Sequence, residues 1–299
     1  MASAPASIGY ESAFGLVERP FSLAADAKYY FRSRAHGRAF EHVAFGLRRR
    51  ERFLLIAGDL GVGKTLLCHV IVAHLDRRTR TAFLANPLVS PENLLRLVLQ
   101  DLGAISADEV RRGRLSGVPR ADLQTMLTEY LLRLQGTRDS AVLVVDEAHL
   151  LPAAVADLLL DLTALDAEGA GRLQVLLVGQ PVPSVATQAT WRRLQLEIAT
   201  EARLLPFERD ECGPYLDHRL TIAGVPPGGV RFTARAVDRL YHLSGGVARL
   251  LNLLADRALQ EAAAAGVDHV DDVHAESAAS ALELLKARPR RFRWFGRPS

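Results

Sequence analysis

Cysteine is scarce in this 299-residue chain: only Cys68 and Cys212 occur, far apart and in no CxxC pattern. A disulfide scaffold and a cysteine-rich zinc module are both excluded, and a reducing compartment is the simpler setting. His69 and His74 stand five residues apart, a spacing that does not put both on one helical face, so no metal site is expected there. No run of 18 apolar residues occurs, and the N-terminus MASAPASIGY lacks a basic stretch followed by an apolar one. Neither a spanning helix nor a secretory leader is therefore expected, and the body reads as cytoplasmic. Lysine is rarer than in most chains, at Lys28, Lys64 and Lys286 alone.

What is present is an ordinary globular composition, 49% apolar and 24% charged, long enough for one large domain or two smaller ones. The net charge of +3 is unevenly placed. Residues 286–299 hold six of the 37 cations and no acid, leaving 31 basic against 34 acidic side chains in residues 1–285.

Short apolar runs alternate with helical patterns through the first two thirds, which predicts a parallel sheet with crossover helices. Arg52 to Ala57, Ala141 to Val145 and Leu173 to Gly179 read as central strands, being apolar at every position as burial on both faces requires. Thr81 to Leu84 and Ala202 to Leu205 are weaker strand candidates. Helices are expected from Lys64 to about Leu75, from an N-cap at Ser90 with Pro91 and Glu92 to Gly103, and along the stripe Leu123, Met126, Leu127, Tyr130, Leu131, Leu134. After about Phe207 the strands stop and four helices follow, near residues 210–223, 233–243, 248–265 and 270–285. The expected organisation is an α/β nucleotide-binding domain over 1–207, a helical lid over 208–285 and a basic aromatic tail over 286–299.

Chemistry concentrates in GDLGVGKT, Gly58 to Thr65, between a predicted strand and a predicted helix. This fits GxxxxGK[ST], a loop whose backbone N–H groups at Gly58, Asp59, Leu60, Gly61, Val62, Gly63 and on to Leu66 cradle phosphates at a helix N-terminus. Lys64 reaches the β- and γ-phosphates, and Thr65 supplies a hydroxyl to Mg2+. The run AVLVVDEAHL ends an apolar strand in Asp146, a metal ligand, and Glu147, a base or water-orienting group for hydrolysis. Gln180 ends the next strand where it can meet a γ-phosphate or the attacking water. Arg249, just after the glycines of SGGVARLLN, is placed to sense a γ-phosphate from the second domain; a solvated helix arginine is the alternative.

These four elements in this order resemble the AAA+ ATPases of the P-loop (ASCE) class. With AFGLVERPFSLAAD (Ala13 to Asp26), LVGQP, GGVARLLN and DEAHLL, the chain is similar to the general secretion pathway protein A (ExeA-type) family, with TniB-type transposition ATPases as relatives. The resemblance spans about residues 8–285. It implies a parallel sheet flanked by helices, an all-helical lid, ATP and Mg2+ as ligands, and nucleotide-dependent self-association. It also implies that Pro20, Phe21 and His36 lie by the adenine, with Tyr29 and Tyr30 nearby; ordinary core packing serves Tyr29 and Tyr30 equally well. Members commonly continue past the lid into a membrane-spanning helix and a peptidoglycan-binding domain, neither of which lies in residues 1–299. Glu197 and Glu201 stand where the family places arginines, leaving Arg192, Arg193 or no residue as the finger.

The tail interleaves its cations with Phe292, Trp294 and Phe295. An anionic bilayer, nucleic-acid phosphates and a solubilising, disordered end each suit that composition. Three functions follow: an assembly-switching ATPase of a secretion or envelope process, peripheral at the inner membrane if the tail binds lipid; a DNA-binding transposition regulator; and a scaffold that binds ATP and barely hydrolyses it.

Overall fold

The computed structural model describes residues 9–137, 139–164, 173–181 and 188–283. In chain order the elements are α1 (Tyr10–Phe14), α2 (Arg34–Arg48), β1 (Phe53–Gly58), α3 (Lys64–Ala73), β2 (Thr79–Leu84), α4 (Pro91–Asp101), α5 (Ala107–Arg111), α6 (Arg120–Thr137), β3 (Ser140–Val145), α7 (Ala153–Ala164), β4 (Leu173–Gly179), α8 (Gln188–Glu197) and β5 (Ile198–Leu204). There follow α9 (Arg209–Ile222), β6 (Arg231–Phe232), α10 (Ala234–Ser244), α11 (Ala248–Ala264), β7 (His269–Val270) and α12 (Asp272–Ala281). They form two compact units: Ala25–Leu205, and the described residues of Met1–Ala24 with Pro206–Ser299.

In the first unit five parallel strands are ordered β2-β3-β4-β1-β5. The pleat sends successive side chains to opposite faces, and here both faces are covered. Phe53, Leu55, Leu143, Val175 and Leu177 pack with α4, α6 and α7. Leu54, Ile56, Val142, Val144, Leu176 and Val178 pack with α2 and α3 on the other side. That is why β1, β3 and β4 carry no polar residue except Gln174 and the first residue, Ser140. β5 lies at the edge and alternates, with Ala202 and Leu204 buried between exposed neighbours; it runs longer than its apolar end suggests. Ser90 accepts the Asn93 N–H and starts α4, and the α6 stripe is core, with Leu123, Leu127, Leu131 and Leu134 all buried.

The second unit is helical apart from a small parallel pair, Arg231 with His269 and Phe232 with Val270, which modifies the expectation that strands end at Phe207. Its N-terminal segment is bound by Arg219 of α9. That guanidinium donates from Nη2 to Ser22 O at 3.1 Å and from Nη1 to Tyr215 Oη at 2.9 Å, and Tyr215 in turn donates to Asn252 Oδ1 at 2.7 Å. Residues 9–24 therefore belong to this unit, while the sequence reading places them with the α/β domain. No helix among the described residues is long and apolar enough to cross a membrane. The basic aromatic tail, residues 286–299, lies outside the described residues.

Candidate nucleotide site

β1 delivers the chain into Gly58–Thr65, and the glycines there are required by geometry. Gly61 and Gly63 have φ of 81° and 101°, values that a side chain disfavours. A Cβ on Gly58 would stand 2.6 Å from Leu204 O of the neighbouring strand. The loop then enters α3 with Gly63 as N-cap and no side chain accepting its first N–H groups, an arrangement that leaves those donors open to an acceptor.

Lys64 is buried and donates from Nζ to Asp59 O at 2.9 Å. Burial lowers its pKa below the usual lysine range, against the opposing pull of Glu147, Asp146 and Asp59. Thr65 Oγ1 donates to Asp146 Oδ2 at 2.7 Å, across 81 residues of sequence. The other carboxylate oxygen accepts the Glu147 N–H at 2.9 Å, while Asp146 N–H bonds Leu84 O of β2 at 2.9 Å. Asp146 is thereby fixed in place beside the helix that carries Lys64 and Thr65. Among the described residues, no three His, Cys, Asp or Glu side chains gather to hold a metal ion by themselves. The hydroxyl and carboxylate instead offer two hard oxygens, a set that suits Mg2+ sharing its remaining positions with phosphate and water.

Glu147 adopts φ 48° and ψ 37°, a left-handed conformation that costs a non-glycine residue about 1–2 kcal/mol. Strain of this kind persists where the surroundings over-determine the backbone, often at functional sites. Its side chain is 36% exposed. Gln180 follows β4 and donates its backbone N–H to His149 Nδ1 at 3.4 Å. The turn Ala148–Leu150 thus joins the ends of β3 and β4, and His149 is a residue that the sequence reading did not single out. Its partner Gln180 is 31 residues away, so no local spacing marks it.

His36 opens α2 and is 3% exposed. Its Nε2 lies 3.1 Å from Val62 O and its Nδ1 2.7 Å from Ser33 Oγ. A Cβ on Gly63 would stand 3.0 Å from the same Nε2. Both ring nitrogens are thus engaged within the protein, and the imidazole supports the Gly58–Thr65 loop directly. Tyr29 is buried, and Tyr30 packs edge-on to His36 with ring centroids 6.2 Å apart. Cys68, one turn after Lys64, is buried and its thiol is pushed up to about 12 by burial, with Asp146 adding to the effect.

Phe21 is 2% exposed and meets Phe232 edge-on at 5.7 Å, with Arg219 beside its ring; Pro20 is buried. Arg249 is exposed in the first turn of α11, after Gly245 and Gly246 turn the chain with φ of 59° and 75°. On α8, Arg193 donates to Asp157 of α7 at 2.6 Å, whereas Arg192 is exposed and has no ion pair among the described residues.

Comparison with known proteins agrees with this geometry. Residues 47–184 match the family model described as an AAA domain. General secretion pathway protein A of Aeromonas hydrophila is 34% identical over 282 residues, which is 93% of this chain and 49% of that protein. The chain therefore spans about half the length of the curated relative it matches. The structure of Cdc6p from Pyrobaculum aerophilum is similar in fold, with a TM-score of 0.66, 16% identity, and coverage of 92% of this chain and 75% of that one. So is the Aeropyrum pernix ORC2 protein in its ADPNP–ADP complexes, with a TM-score of 0.64, 18% identity, and coverage of 88% and 71%. Motif order, strand order and sequence similarity converge: residues 47–184 match an AAA domain, the fold is similar to that of Cdc6p and ORC2, and the chain is similar to general secretion pathway protein A over 93% of its length.

Proposed function

We propose that the chain binds ATP with Mg2+ at Gly58–Thr65, hydrolyses it, and uses the nucleotide state to switch its self-assembly in a secretion or cell-envelope process. The observation that carries the reading is the 2.7 Å bond between Thr65 Oγ1 and Asp146 Oδ2. It brings together the two oxygens that would hold Mg2+, whose chemistry is to neutralise charge on the phosphate oxygens. The backbone N–H groups from Gly58 to Leu66 receive the phosphates. Lys64 exchanges Asp59 O for the β- and γ-phosphate oxygens, trading a neutral acceptor for an anionic one. Glu147 orients the attacking water and accepts its proton, and Gln180 steadies the γ-phosphate or that water. Arg249 senses the γ-phosphate, and Arg192 is favoured over the already paired Arg193 as a finger acting on a neighbouring subunit. On the adenine side Pro20 and Phe21 are retained as contacts, and His36 acts through the loop it supports.

The test is phosphate release by the purified chain with Mg2+ and ATP, run alone, with anionic vesicles and with duplex DNA, alongside sizing in ATP and in ADP. Turnover that depends on Glu147, with a shift in assembly size between nucleotides, supports the reading. Absence of turnover under all three conditions favours a nucleotide-gated scaffold. A second reading, a DNA-binding recombination regulator, is favoured by the six cations and three aromatics of residues 286–299. It requires DNA affinity that falls steeply with salt; vesicle binding lost on deleting that segment supports the membrane side instead.

A further inference from the structure

One nitrogen atom faces two partners that make opposite demands. His149 Nδ1 lies 3.4 Å from Glu147 Oε2 and 3.4 Å from Gln180 N. The imidazole is only 12% exposed, and the backbone holds it there. A Cβ on Gly179 would stand 3.1 Å from His149 N and 3.4 Å from its Nδ1, so β4 closes directly against the ring. On the other side Glu147 is held in its left-handed conformation, with its N–H bound by Asp146 Oδ1 at 2.9 Å.

A ring nitrogen accepts through a bare lone pair or donates through a proton, never both. With a bare Nδ1, the Gln180 N–H is satisfied and the Glu147 carboxylate meets a second lone pair, which turns its oxygens away from the ring. With a proton on Nδ1, Glu147 is drawn to the ring and Gln180 loses its acceptor. Either way the imidazole dictates where the Glu147 carboxylate points, and the position of Gln180 decides which arrangement holds.

We infer that His149 is a positioning residue for ATP hydrolysis: it steers Glu147 and couples it to the Gln180 end of β4. The inference rests on the reading of Glu147 as the water-activating group. With Gln180 bonded to Nδ1, that nitrogen cannot donate to the carboxylate, whose lone pairs stay available to water. Without the imidazole, Glu147 swings toward the Lys64 ammonium, whose charge already interacts with it, and its lone pairs are lost to the water.

The experiment compares the full chain with His149→Ala, His149→Asn, Glu147→Gln and the His149→Ala/Glu147→Gln double variant, measuring kcat, KM and nucleotide affinity with Mg2+ and ATP. His149→Ala should lower kcat about tenfold, the scale of losing one oriented group, with KM and affinity within twofold of wild type. His149→Asn, whose amide reaches the position of Nδ1, should recover most of the loss. The double variant should be no slower than Glu147→Gln alone. Wild-type turnover in His149→Ala beside an inactive Glu147→Gln overturns the inference and leaves the role of Glu147 standing. Wild-type turnover in Glu147→Gln overturns both. Equal losses in the Asn and Ala variants, with a lowered unfolding midpoint in each, mean that the ring only fills space and also overturn the inference.

Discussion

Thr65 Oγ1 donates its proton to Asp146 Oδ2 at 2.7 Å, joining the first turn of α3 to the end of β3 across 81 residues. Asp146 is buried, so its Oδ2 without the Thr65 donor would be an unsatisfied acceptor costing about 1–3 kcal/mol.

Thr65→Ala and Asp146→Asn should act differently because of this bond. Asp146→Asn keeps a hydrogen-bonding group beside Thr65 but removes the charge, so it should spare the fold and abolish the Mg2+ dependence of nucleotide binding. Thr65→Ala should also lower the unfolding midpoint. Titrating a fluorescent ATP analogue with and without Mg2+, alongside thermal melting, checks both.

His36→Ala should weaken binding of ATP and of inorganic tripolyphosphate by the same factor, about tenfold. The ring bonds Val62 O at 3.1 Å, so its loss loosens the loop that holds phosphate. A direct adenine contact would leave tripolyphosphate binding unchanged. Competition titrations with the two ligands read the difference.

Gly246→Ala should destabilise the C-terminal unit. Gly246 has φ 75°, and an added Cβ would stand 2.1 Å from Phe207 O, a backbone atom that cannot rotate away. Left-handed strain and overpacking together predict a loss of about 3 kcal/mol, measurable by urea unfolding.

Cys68 should resist thiol reagents at pH 8 in the folded chain and react once the chain unfolds. Its folded pKa is pushed up to about 12, above the ordinary value of 9.0. The folded state therefore keeps a proton that the unfolded state releases above pH 9. The contribution of this group to stability is fully present below that pH and declines as pH rises toward 12. Labelling kinetics with and without denaturant test the first point, and unfolding midpoints from pH 8 to 10.5 test the second.

The parts legible in the sequence share one property: their signal is local. β1, β3 and β4 are buried on both faces, so their residues are apolar throughout, and the loop from Gly58 to Thr65 is contiguous. β5 is visible only at its end because Ala199, Glu201 and Arg203 lie on its exposed side and the polar Thr200 interrupts the other. α2 escaped the helical reading because Gly37 and Gly46 interrupt it. Gly46 is demanded by tight packing, since a Cβ there would stand 2.6 Å from Leu54 Cδ2. Its buried positions His36, Ala39, Val43 and Leu47 do follow the spacing of a helix, a signal that could have found it. The attachment of residues 9–24 to α9 depends on Arg219, about 200 residues later, and the role of His149 depends on a strand reached by crossover. Neither relationship has a short-range pattern.

Nucleotide affinity of the Lys64→Ala variant tests the central assignment most directly. Lys64 is the one lysine in the phosphate loop, and its ammonium is buried beside Asp59 O, Asp146 and Glu147. Equilibrium titration with Mg2+ and ATP should show binding by wild type and a loss of at least a hundredfold, about 2.7 kcal/mol, in a variant that still folds. Equal affinity in the two proteins would contradict the assignment of Gly58–Thr65 as the phosphate site.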